Sequence, residues 1–453
     1  MSSTVPAVPP AVPPAVPPAP PTVADVPADP AASRRVAAAS LVGTTIEYYD
    51  FAVYSIIASI VLGPLFFPSA STTASTMAAF ATFAVAFVAR PIGSILFSTI
   101  GDRVGRRRSL LICLLMMGGA TVAIGLLPTY GSVGVLAPVL LVVLRILQGL
   151  ALGGEWGGAV LLATEHAPPG KRAIFGSVPQ IGPPLGFVLA SLVLATLTGV
   201  MDRAQFVAWG WRIPFLISIV MVAVGLWVRF KVAESPVFEQ AAQNRQLVRI
   251  PVVTVLREFP GRFAIGVAAP IGGLATWYLI TAFSVSYGSS AQGIPQAQMI
   301  LVACATAFTH MVLVPPAALI AERFGRRIPM LVGAAGVAVC VVPAFALFET
   351  GNALLVGVGF CVTMIPFTLV FALVGAWLAE FFPTRVRYSG ASGAFVLAGV
   401  LGGGFAPLIG AALVAGGGSP IRLGLYAGAL SLVSTAALAF APETRHRALT
   451  STH

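Results

Sequence analysis

Long apolar runs constrain this 453-residue chain more than any other feature of its sequence. About twelve segments reach the roughly 20 apolar residues that a helix needs to cross a lipid bilayer. Hydrophobic residues make up 57% of the chain and charged residues only 9%, whereas soluble domains carry about 25% charged residues. The sequence therefore predicts an all-α membrane protein with twelve spans, near residues 39–63, 77–100, 108–128, 134–163, 173–198, 210–230, 262–287, 297–320, 328–348, 352–379, 389–415 and 421–441.

The basic residues predict how these segments are oriented. If the N-terminus is cytoplasmic, the loops and tails on that side hold 21 of the 26 Lys and Arg residues, and the outer loops hold three. Cytoplasmic loops of membrane proteins carry such an excess of positive charge. We therefore expect both termini in the cytoplasm, and we interpret the net charge of +11 as a topology signal and not as a nucleic-acid-binding surface.

The chain also contains an internal repeat. Gly101-Asp-Arg-Val-Gly-Arg-Arg107 is matched 220 residues later by Ala321-Glu-Arg-Phe-Gly-Arg-Arg327. Repeats packed around a midplane cavity are the architecture of many secondary transporters. We expect a disordered, Pro-rich cytoplasmic tail (1–33), a six-helix bundle (34–230), a cytoplasmic connecting loop (231–261), a second six-helix bundle (262–441) and a cytoplasmic C-terminal tail (442–453).

The repeated Gly-Asp-Arg-x-Gly-Arg-Arg motif resembles the hallmark of the major facilitator superfamily. Three further stretches resemble its metabolite:proton symporter family more narrowly: Ile46-Glu-Tyr-Tyr-Asp-Phe51, Leu144-Arg-Ile-Leu-Gln-Gly-Leu-Ala-Leu-Gly-Gly-Glu-Trp156 and Glu234-Ser-Pro-Val-Phe238. Within that family the chain is most similar to shikimate transporter-like members, with proline/betaine transporters as further relatives. The resemblance covers residues 40–447 and implies the major facilitator fold, two six-helix bundles that rock around a central site.

Two segments depart from the pattern of that family. Its symporters often carry an Arg and an acid in segment 7, where this chain has Pro270-Ile-Gly-Gly273. They also tend to carry Gln-rich sequence in segment 10, where this chain has Phe371-Ala-Leu-Val-Gly-Ala376. We therefore expect the C-terminal side of the central cavity to be less polar than in its relatives.

Ionisable residues inside the segments are few, and those near the centre lie in the N-terminal half. Each costs on the order of 3 kcal/mol to insert, so such residues usually serve a function. Glu47, Asp50 and Tyr54 are spaced i, i+3, i+7 and share one helix face. We predict that Asp50, with Glu47 and Arg145, carries a coupled proton, and that Arg145 and Arg90 bind a solute carboxylate and act as alternating counter-ions. The alternative is a set of fixed ion pairs that hold the helices together.

Aromatic side chains are predicted to form the rest of the substrate site, with packing as their alternative role: Tyr48, Tyr49, Tyr54, Trp277 and Tyr278. His310 is the only histidine within a segment. A lone histidine in an apolar stretch is more often a hydrogen-bonded structural residue, and a proton relay is the alternative.

Charged residues of the repeated motif predict a breakable latch on the cytoplasmic side, formed by Asp102, Arg103, Arg106, Glu322, Arg323 and Arg326. Carboxylates bind helix N-termini and arginines, so these groups can hold two helix ends together in the outward-facing state. The alternative is that they only supply the positive charge of inner loops.

Together these features predict a proton-coupled symporter in the bacterial plasma (inner) membrane. The expected solute is a small polar metabolite, with a shikimate-like hydroxy acid or a dicarboxylate first. A symporter of zwitterionic osmolytes such as proline or betaine, an efflux transporter and a non-transporting solute sensor remain as alternatives. The sequence has no CxxC pair, histidine cluster or GxxxxGK[ST] loop, so we expect no enzyme activity, cofactor or metal. The expected partners are the solute, protons and the bilayer, and the chain is expected to be a monomer without nucleic acid.

Overall fold

A computed structural model describes residues 30–68, 72–104, 106–153, 155–165, 167–168, 170–231, 251–383 and 386–445. Within these ranges, the side chains of residues 30–32, 59, 72–73, 98–99, 101–110, 229–231 and 251–253 lie outside the description. Every regular element in the described residues is helical. The prediction of an all-α chain is confirmed.

We label the membrane-length helices α1–α12 in chain order. The first six are Pro30–Ile57 (α1), Thr72–Val104 (α2), Arg106–Leu126 (α3), Leu136–Gly153 (α4), Arg172–Val200 (α5) and Ile213–Lys231 (α6). A π-helical turn, Ala58–Leu62, continues α1, which bends by 43° before its last turn. The helix Trp156–Glu165 continues α4. The short helices between these spans are Tyr130–Val133, Arg203–Ala208 and Gly210–Arg212.

The last six helices are Pro260–Tyr278 (α7), Gln296–Phe324 (α8), Arg327–Ala346 (α9), Ala353–Phe381 (α10), Arg387–Ala398 (α11) and Ile421–Phe440 (α12). Two of them continue through π-helical turns, α7 through Leu279–Phe283 into Ser284–Ser290, and α11 through Gly399–Gly404 into Ala406–Val414. Two further short helices are Pro251–Glu258, before α7, and Leu347–Thr350, after α9. The first of these lies within the predicted connecting loop.

In the described part of the chain, ten helices are long and apolar enough to cross a membrane, and the bent α1 makes an eleventh. The described apolar part of α3, Leu111–Leu126, is shorter. With α3 these helices correspond to the twelve predicted segments. Their outer faces expose large apolar side chains such as Val139, Val339 and Phe440, as a lipid-facing surface requires.

Helices that are distant in sequence pack side by side. In the first six, α1 packs with α5, α2 with α4, and α3 with α6. In the last six, α7 packs with α12, and α9 packs with α10 and α12. The two groups are joined by pairs such as α5 with α8, α5 with α10 and α2 with α11. The domain boundary at 231–261 stays a prediction, because residues 232–250 lie outside the described part of the chain.

Glycines bring α2 and α4 unusually close together. A Cβ atom on Gly149 would lie 2.1 Å from the carbonyl oxygen of Ala86, and one on Gly153 would lie 2.0 Å from that of Arg90. Small residues allow such close backbone contact between membrane helices. The contact places the backbone of Arg90 in α2 against the backbone of α4. It also brings the backbone of α2 within reach of the Arg145 side chain in α4.

Candidate functional site

Two cavities lie between the first and the last six helices. The larger covers about 410 Å³ of space free of protein atoms and the smaller about 240 Å³, in both cases including space that is open to solvent. Tyr48, Trp277 and Tyr278 line both cavities, and the role of the last two in solute binding stays a prediction. Trp156 and His310 also line the larger one. The cavities occupy the position at which a rocking transporter would hold its solute.

Aromatic rings form most of the cavity wall. On the α10 side, the ring of Phe367 stacks on that of Phe371 with a centroid distance of 4.5 Å and on Trp277 with one of 5.7 Å. Trp156, the first residue of the α4 continuation, stacks on Phe395 of α11, with centroids 3.7 Å apart and planes 6° from parallel. The expectation of a less polar C-terminal wall therefore has a structural counterpart in these phenylalanines.

Asp50 is fully buried in α1 and is held by two hydroxyl groups. Ser218 Oγ of α6 donates to Oδ1 at 2.5 Å, and Thr121 Oγ1 of α3 donates to Oδ2 at 3.1 Å. Gln148 Nε2 of α4 donates in turn to Thr121 Oγ1 at 2.8 Å, and Gln148 Oε1 accepts from Arg145 Nη1 at 2.8 Å. A continuous hydrogen-bonded chain, Asp50–Thr121–Gln148–Arg145, therefore links the predicted proton carrier to the predicted cation. We call it the relay.

Arg145 lies against aromatic faces and not against a carboxylate. Its Cζ atom is 3.7 Å from the ring centroid of Tyr54, and its Nε donates to the carbonyl oxygen of Thr82 at 3.4 Å. Its Nη2 makes no hydrogen bond to the described residues. Stacking on a desolvated ring stabilises a cation by about 2 kcal/mol, which offsets part of its burial cost.

Arg90 has a similar environment in α2. Its Cζ atom lies 4.0 Å from the ring centroid of Phe87 and 4.8 Å from that of Phe51. Neither its Nε nor its Nη2 has a hydrogen-bond partner in the described part of the chain. The Phe51 ring also faces Arg145, at 5.4 Å, and lines the smaller cavity. Phe51 therefore contacts both arginines and borders the space between the two halves, and Tyr278, which lines both cavities, also interacts with Arg90.

The remaining predicted residues of the N-terminal half are buried around the relay. Glu47 lies one turn before Asp50 and is 3% exposed. The Tyr54 hydroxyl forms a hydrogen bond with Thr82 Oγ1, and the Tyr49 hydroxyl donates to the carbonyl oxygen of Pro214 at 3.1 Å. Neither of these tyrosines lines the two cavities. Their roles in solute binding remain predictions.

A second group of buried charges lies at one end of the last six helices, around the turn between α8 and α9. Arg326, between α8 and α9, forms ion pairs at 3.1 Å with Glu322 and with Glu380 of α10. Thr444 Oγ1 donates to the other oxygen of Glu380 at 2.7 Å. We call Arg326, Glu322, Glu380 and Thr444 the end cluster. The second copy of the repeated motif supplies three predicted latch residues. Two of them, Glu322 and Arg326, belong to the end cluster, and the third, Arg323, is solvent-exposed.

The end cluster reaches across to the first six helices. Glu322 Oε1 accepts from the backbone N–H of Ala173 at 2.6 Å, at the start of α5, where a negative charge is favoured. Nearby, Arg387 Nη1 of α11 lies 3.7 Å from Glu165 Oε1 at the end of the α4 continuation. Charged contacts thus join the two halves on this side. The side chains of the other latch residues, Asp102, Arg103 and Arg106, lie outside the described set.

Glu443 fixes the turn between α8 and α9. Its carboxylate accepts from the backbone N–H groups of Arg326, Arg327, Thr444 and Arg445 at 2.9 to 3.0 Å. Burial alone would raise the pKa of Glu443, but these four donors outweigh it, and the pKa lies below its ordinary value. Gly325 has φ +88°, and a Cβ there would lie 2.4 Å from Glu443 Oε2. The glycine of the second motif is therefore required twice, for its backbone angle and for this contact.

Known proteins resemble this chain along most of its length. The family model described as sugar (and other) transporter matches residues 36–248 and 270–453. The chain belongs to the sugar (and other) transporter family. The inner membrane metabolite transport protein YhjE of Escherichia coli K12 is 42% identical over 93% of this chain and 97% of its own length. The shikimate transporter of the same organism is 38% identical over 90% and 94%.

A solved structure shows the fold of this transporter family. The proton:xylose symporter XylE, of the major facilitator superfamily, matches with a TM-score of 0.74 at 19% identity, over 93% of this chain and 98% of that one. The predicted major facilitator fold is confirmed, as is the resemblance to shikimate transporter-like relatives. The chain is a multi-pass membrane transporter and not an enzyme.

Sequence reasoning identified Asp50 and Arg145, the charged members of the relay. It missed the two hydroxyl groups that donate to Asp50, those of Thr121 and Ser218. Gln148 follows Arg145 by three residues and so shares its helix face. Thr121 and Ser218 gave no signal, because Ser and Thr in helices commonly bond to their own backbone, as Thr121 also does to the Met117 carbonyl. Among the described residues, no group of three His, Cys, Asp or Glu side chains is placed to hold a metal ion.

Proposed function

We propose that the chain is a proton-coupled symporter of a small organic acid in the bacterial inner membrane, with both termini in the cytoplasm. A shikimate-like hydroxy acid or a dicarboxylate is the proposed solute. The observation that carries this proposal is the relay, in which a buried carboxylate is connected through two neutral side chains to a buried guanidinium with a free donor. The 38% identity to a shikimate transporter supports the solute class.

The proposed proton carrier is Asp50. The Thr121 hydroxyl has one proton and two acceptors in reach, Asp50 Oδ2 at 3.1 Å and the carbonyl oxygen of Met117 at 2.9 Å. When Asp50 is charged, it attracts this proton and closes the relay. When Asp50 binds a proton from the outer solution, its charge disappears and the Thr121 proton can turn to Met117. Protonation thus weakens the link between Asp50 and Arg145.

The proposed binding groups for a solute carboxylate are Arg145 and Arg90. A buried N–H without a partner costs about 1–3 kcal/mol, and these residues have three such nitrogen atoms among the described contacts. A carboxylate would supply the acceptors in the two-pronged geometry that suits guanidinium groups. Phe51 lines the smaller cavity and contacts both arginines, so its ring borders the path by which the solute would reach them.

The two halves would then rock around the bound solute and proton. Opening toward the cytoplasm requires the Glu322 contact with the start of α5 and the Arg387–Glu165 pair to separate. These contacts are the proposed latch in its closed form. The Trp156–Phe395 stack would open in the same movement, because it too joins the two halves.

Uptake into proteoliposomes with an imposed inward proton gradient tests the proposal. The labelled solutes are shikimate, 2-oxoglutarate, citrate, proline and betaine, and an internal pH dye reports proton entry. We expect one acid to accumulate only with the gradient, to acidify the lumen on addition, and to leave when a protonophore is added. Protein-free liposomes are the control. Accumulation that ignores the gradient, or uptake of none of the acids, would contradict proton-coupled acid symport.

A further inference from the structure

The side chain of His310 in α8 is buried at the wall of the larger cavity. Its ring lies edge-on to two aromatic rings, with centroids 4.9 Å from Phe367 and 5.6 Å from Trp277. The relay does not include it. The position of the proton on its ring therefore depends on contacts outside the relay.

Those contacts assign the proton on the ring. His310 Nδ1 lies 2.8 Å from Thr368 Oγ1, and Thr368 Oγ1 donates its single proton to the carbonyl oxygen of Met364 at 2.7 Å. The threonine hydroxyl can then only accept from the histidine. An imidazole with one proton, placed on Nδ1, has an unprotonated Nε2 that is a hydrogen-bond acceptor.

The Nε2 atom has no hydrogen bond to the described residues. The residues that line the larger cavity with His310 include no carboxylate that would favour a second ring proton. Gln180, another polar residue of this wall, is already engaged: its Nε2 donates to the Phe371 carbonyl oxygen at 2.9 Å, and its Oε1 accepts from Trp156 Nε1 at 3.4 Å. His310 is thus an acceptor held in one orientation on an aromatic wall.

We propose that His310 selects solutes that carry a hydroxyl group. Nε2 accepts a hydrogen bond from that hydroxyl, while the rings of Trp277 and Phe367 contact the apolar side of the solute. This inference rests on the proposed function and narrows its solute class. It favours a hydroxylated acid over an acid of the same skeleton without hydroxyls, and it disfavours betaine, whose methylated ammonium has no proton to donate.

The size of the effect follows from the geometry. A solute without the hydroxyl would bury Nε2 without a partner, which costs about 1–3 kcal/mol, or about 5- to 150-fold in affinity. Sites built to bond a hydroxyl reject analogues that lack it for this reason. We expect a preference of about 10-fold or more for the hydroxylated member of a matched pair.

Two matched pairs test the inference in proteoliposomes that hold the full chain: shikimate against cyclohex-1-ene-1-carboxylate, and malate against succinate. Each compound competes with the labelled acid that the uptake panel identifies, and the readout is the ratio of half-inhibitory concentrations within a pair. His310→Phe keeps an aromatic ring against Trp277 and Phe367 but has no acceptor. For at least one pair, we expect the ratio to fall from about 10 or more to near 1, with gradient dependence retained.

Two further variants separate an acceptor role from a packing role. His310→Gln places an amide oxygen within reach of the Nε2 position and should restore part of the preference. Thr368→Val removes the group that fixes the ring proton and should lower the preference without removing it. Gel filtration in detergent checks that each variant is folded.

Equal inhibition by both members of each pair in the wild type would overturn the inference. An unchanged ratio in His310→Phe would also overturn it. Both results are distinguishable from a failure of the proposed function, because that failure appears as wild-type uptake that does not respond to the proton gradient.

Discussion

The buried charges of the first six helices and those of the last six lie at different places along their helices. Glu47, Asp50, Arg90 and Arg145 lie inside α1, α2 and α4, away from the helix ends, and one further buried acid, Glu155, lies at the break between α4 and its continuation. Among the described residues of the last six helices, the buried charges lie at helix ends: Arg326 precedes α9, Glu380 is the penultimate residue of α10, and Arg387 begins α11. At the level of the cavity, that half presents aromatic rings and one histidine.

The contacts of the two groups differ in the same way. Arg326 is paired directly with two carboxylates at 3.1 Å, and removing one partner of a buried pair costs about 3–5 kcal/mol. Asp50 and Arg145 form no direct ion pair, and the side chains of Thr121 and Gln148 lie between them. Hydrogen bonds between neutral groups rearrange at lower cost, about 1 kcal/mol each. In the proposed mechanism the first half carries the proton and binds the carboxylate, while the second half shapes the solute site and holds the closed end.

The largest expected effect comes from removing the charge at the centre of the first half. In Asp50→Asn the side chain keeps its size but cannot release a proton, so gradient-driven accumulation should fall to the level of protein-free liposomes. Solute counterflow without a gradient should persist, because the cavity wall is unchanged. The measurement is labelled uptake with and without a gradient. Asp202→Asn, an exposed acid that caps a short outer helix, is the matched control. Normal uphill uptake by Asp50→Asn would remove this residue from the mechanism.

An intermediate effect is expected from cutting the relay between its ends. Gln148→Leu leaves Arg145 Nη1 and Thr121 Oγ1 without their 2.8 Å partners, so we expect gradient-driven uptake to slow by about 10-fold. Gln180→Leu is the matched variant on the cavity wall. It should raise the KM for the solute and leave the ratio of uptake with and without a gradient unchanged. Both residues lie in the first six helices, so the pair tests whether the relay and the cavity wall have separate roles, and that separation would be wrong if the two variants exchanged these effects.

The sequence predicted the fold and the buried charges, because both depend on local composition. Long apolar runs marked the spans, and ionisable residues within them are too rare to overlook. The partners of those charges depend on packing instead: Ser218 lies 168 residues from Asp50, and Thr368 lies 58 residues from His310. The π-helical turn after Tyr278 also has no signature in its residues, Leu279–Phe283. It begins 221 residues after the corresponding turn of α1 at Ala58, close to the interval of the sequence repeat.

The smallest expected effect concerns the charges at the end of the second half. The Glu443 carboxylate accepts from four backbone N–H groups, and its pKa in the folded chain is lowered relative to an unfolded value of about 4.3. A group with a depressed pKa stabilises the fold while it is charged. Its contribution is therefore complete above about pH 5 and is lost as the pH falls through the folded pKa. Because the side chain is exposed, we expect less than about 1 kcal/mol.

Thermal unfolding of detergent-solubilised protein at several pH values between 3.5 and 7.5 would measure this contribution. Glu443→Gln should lower the Tm slightly at pH 7.5, and the difference from wild type should shrink as the pH falls through the lowered pKa of the wild-type carboxyl. The control is Glu349→Gln, an exposed acid at the opposite end of α9 that accepts from Ser419 Oγ at 2.9 Å. A difference that grows as the pH falls would mean that Glu443 destabilises the turn. The charges at this end of the last six helices would then not stabilise the fold. The proposed difference between these charges and the relay would be wrong.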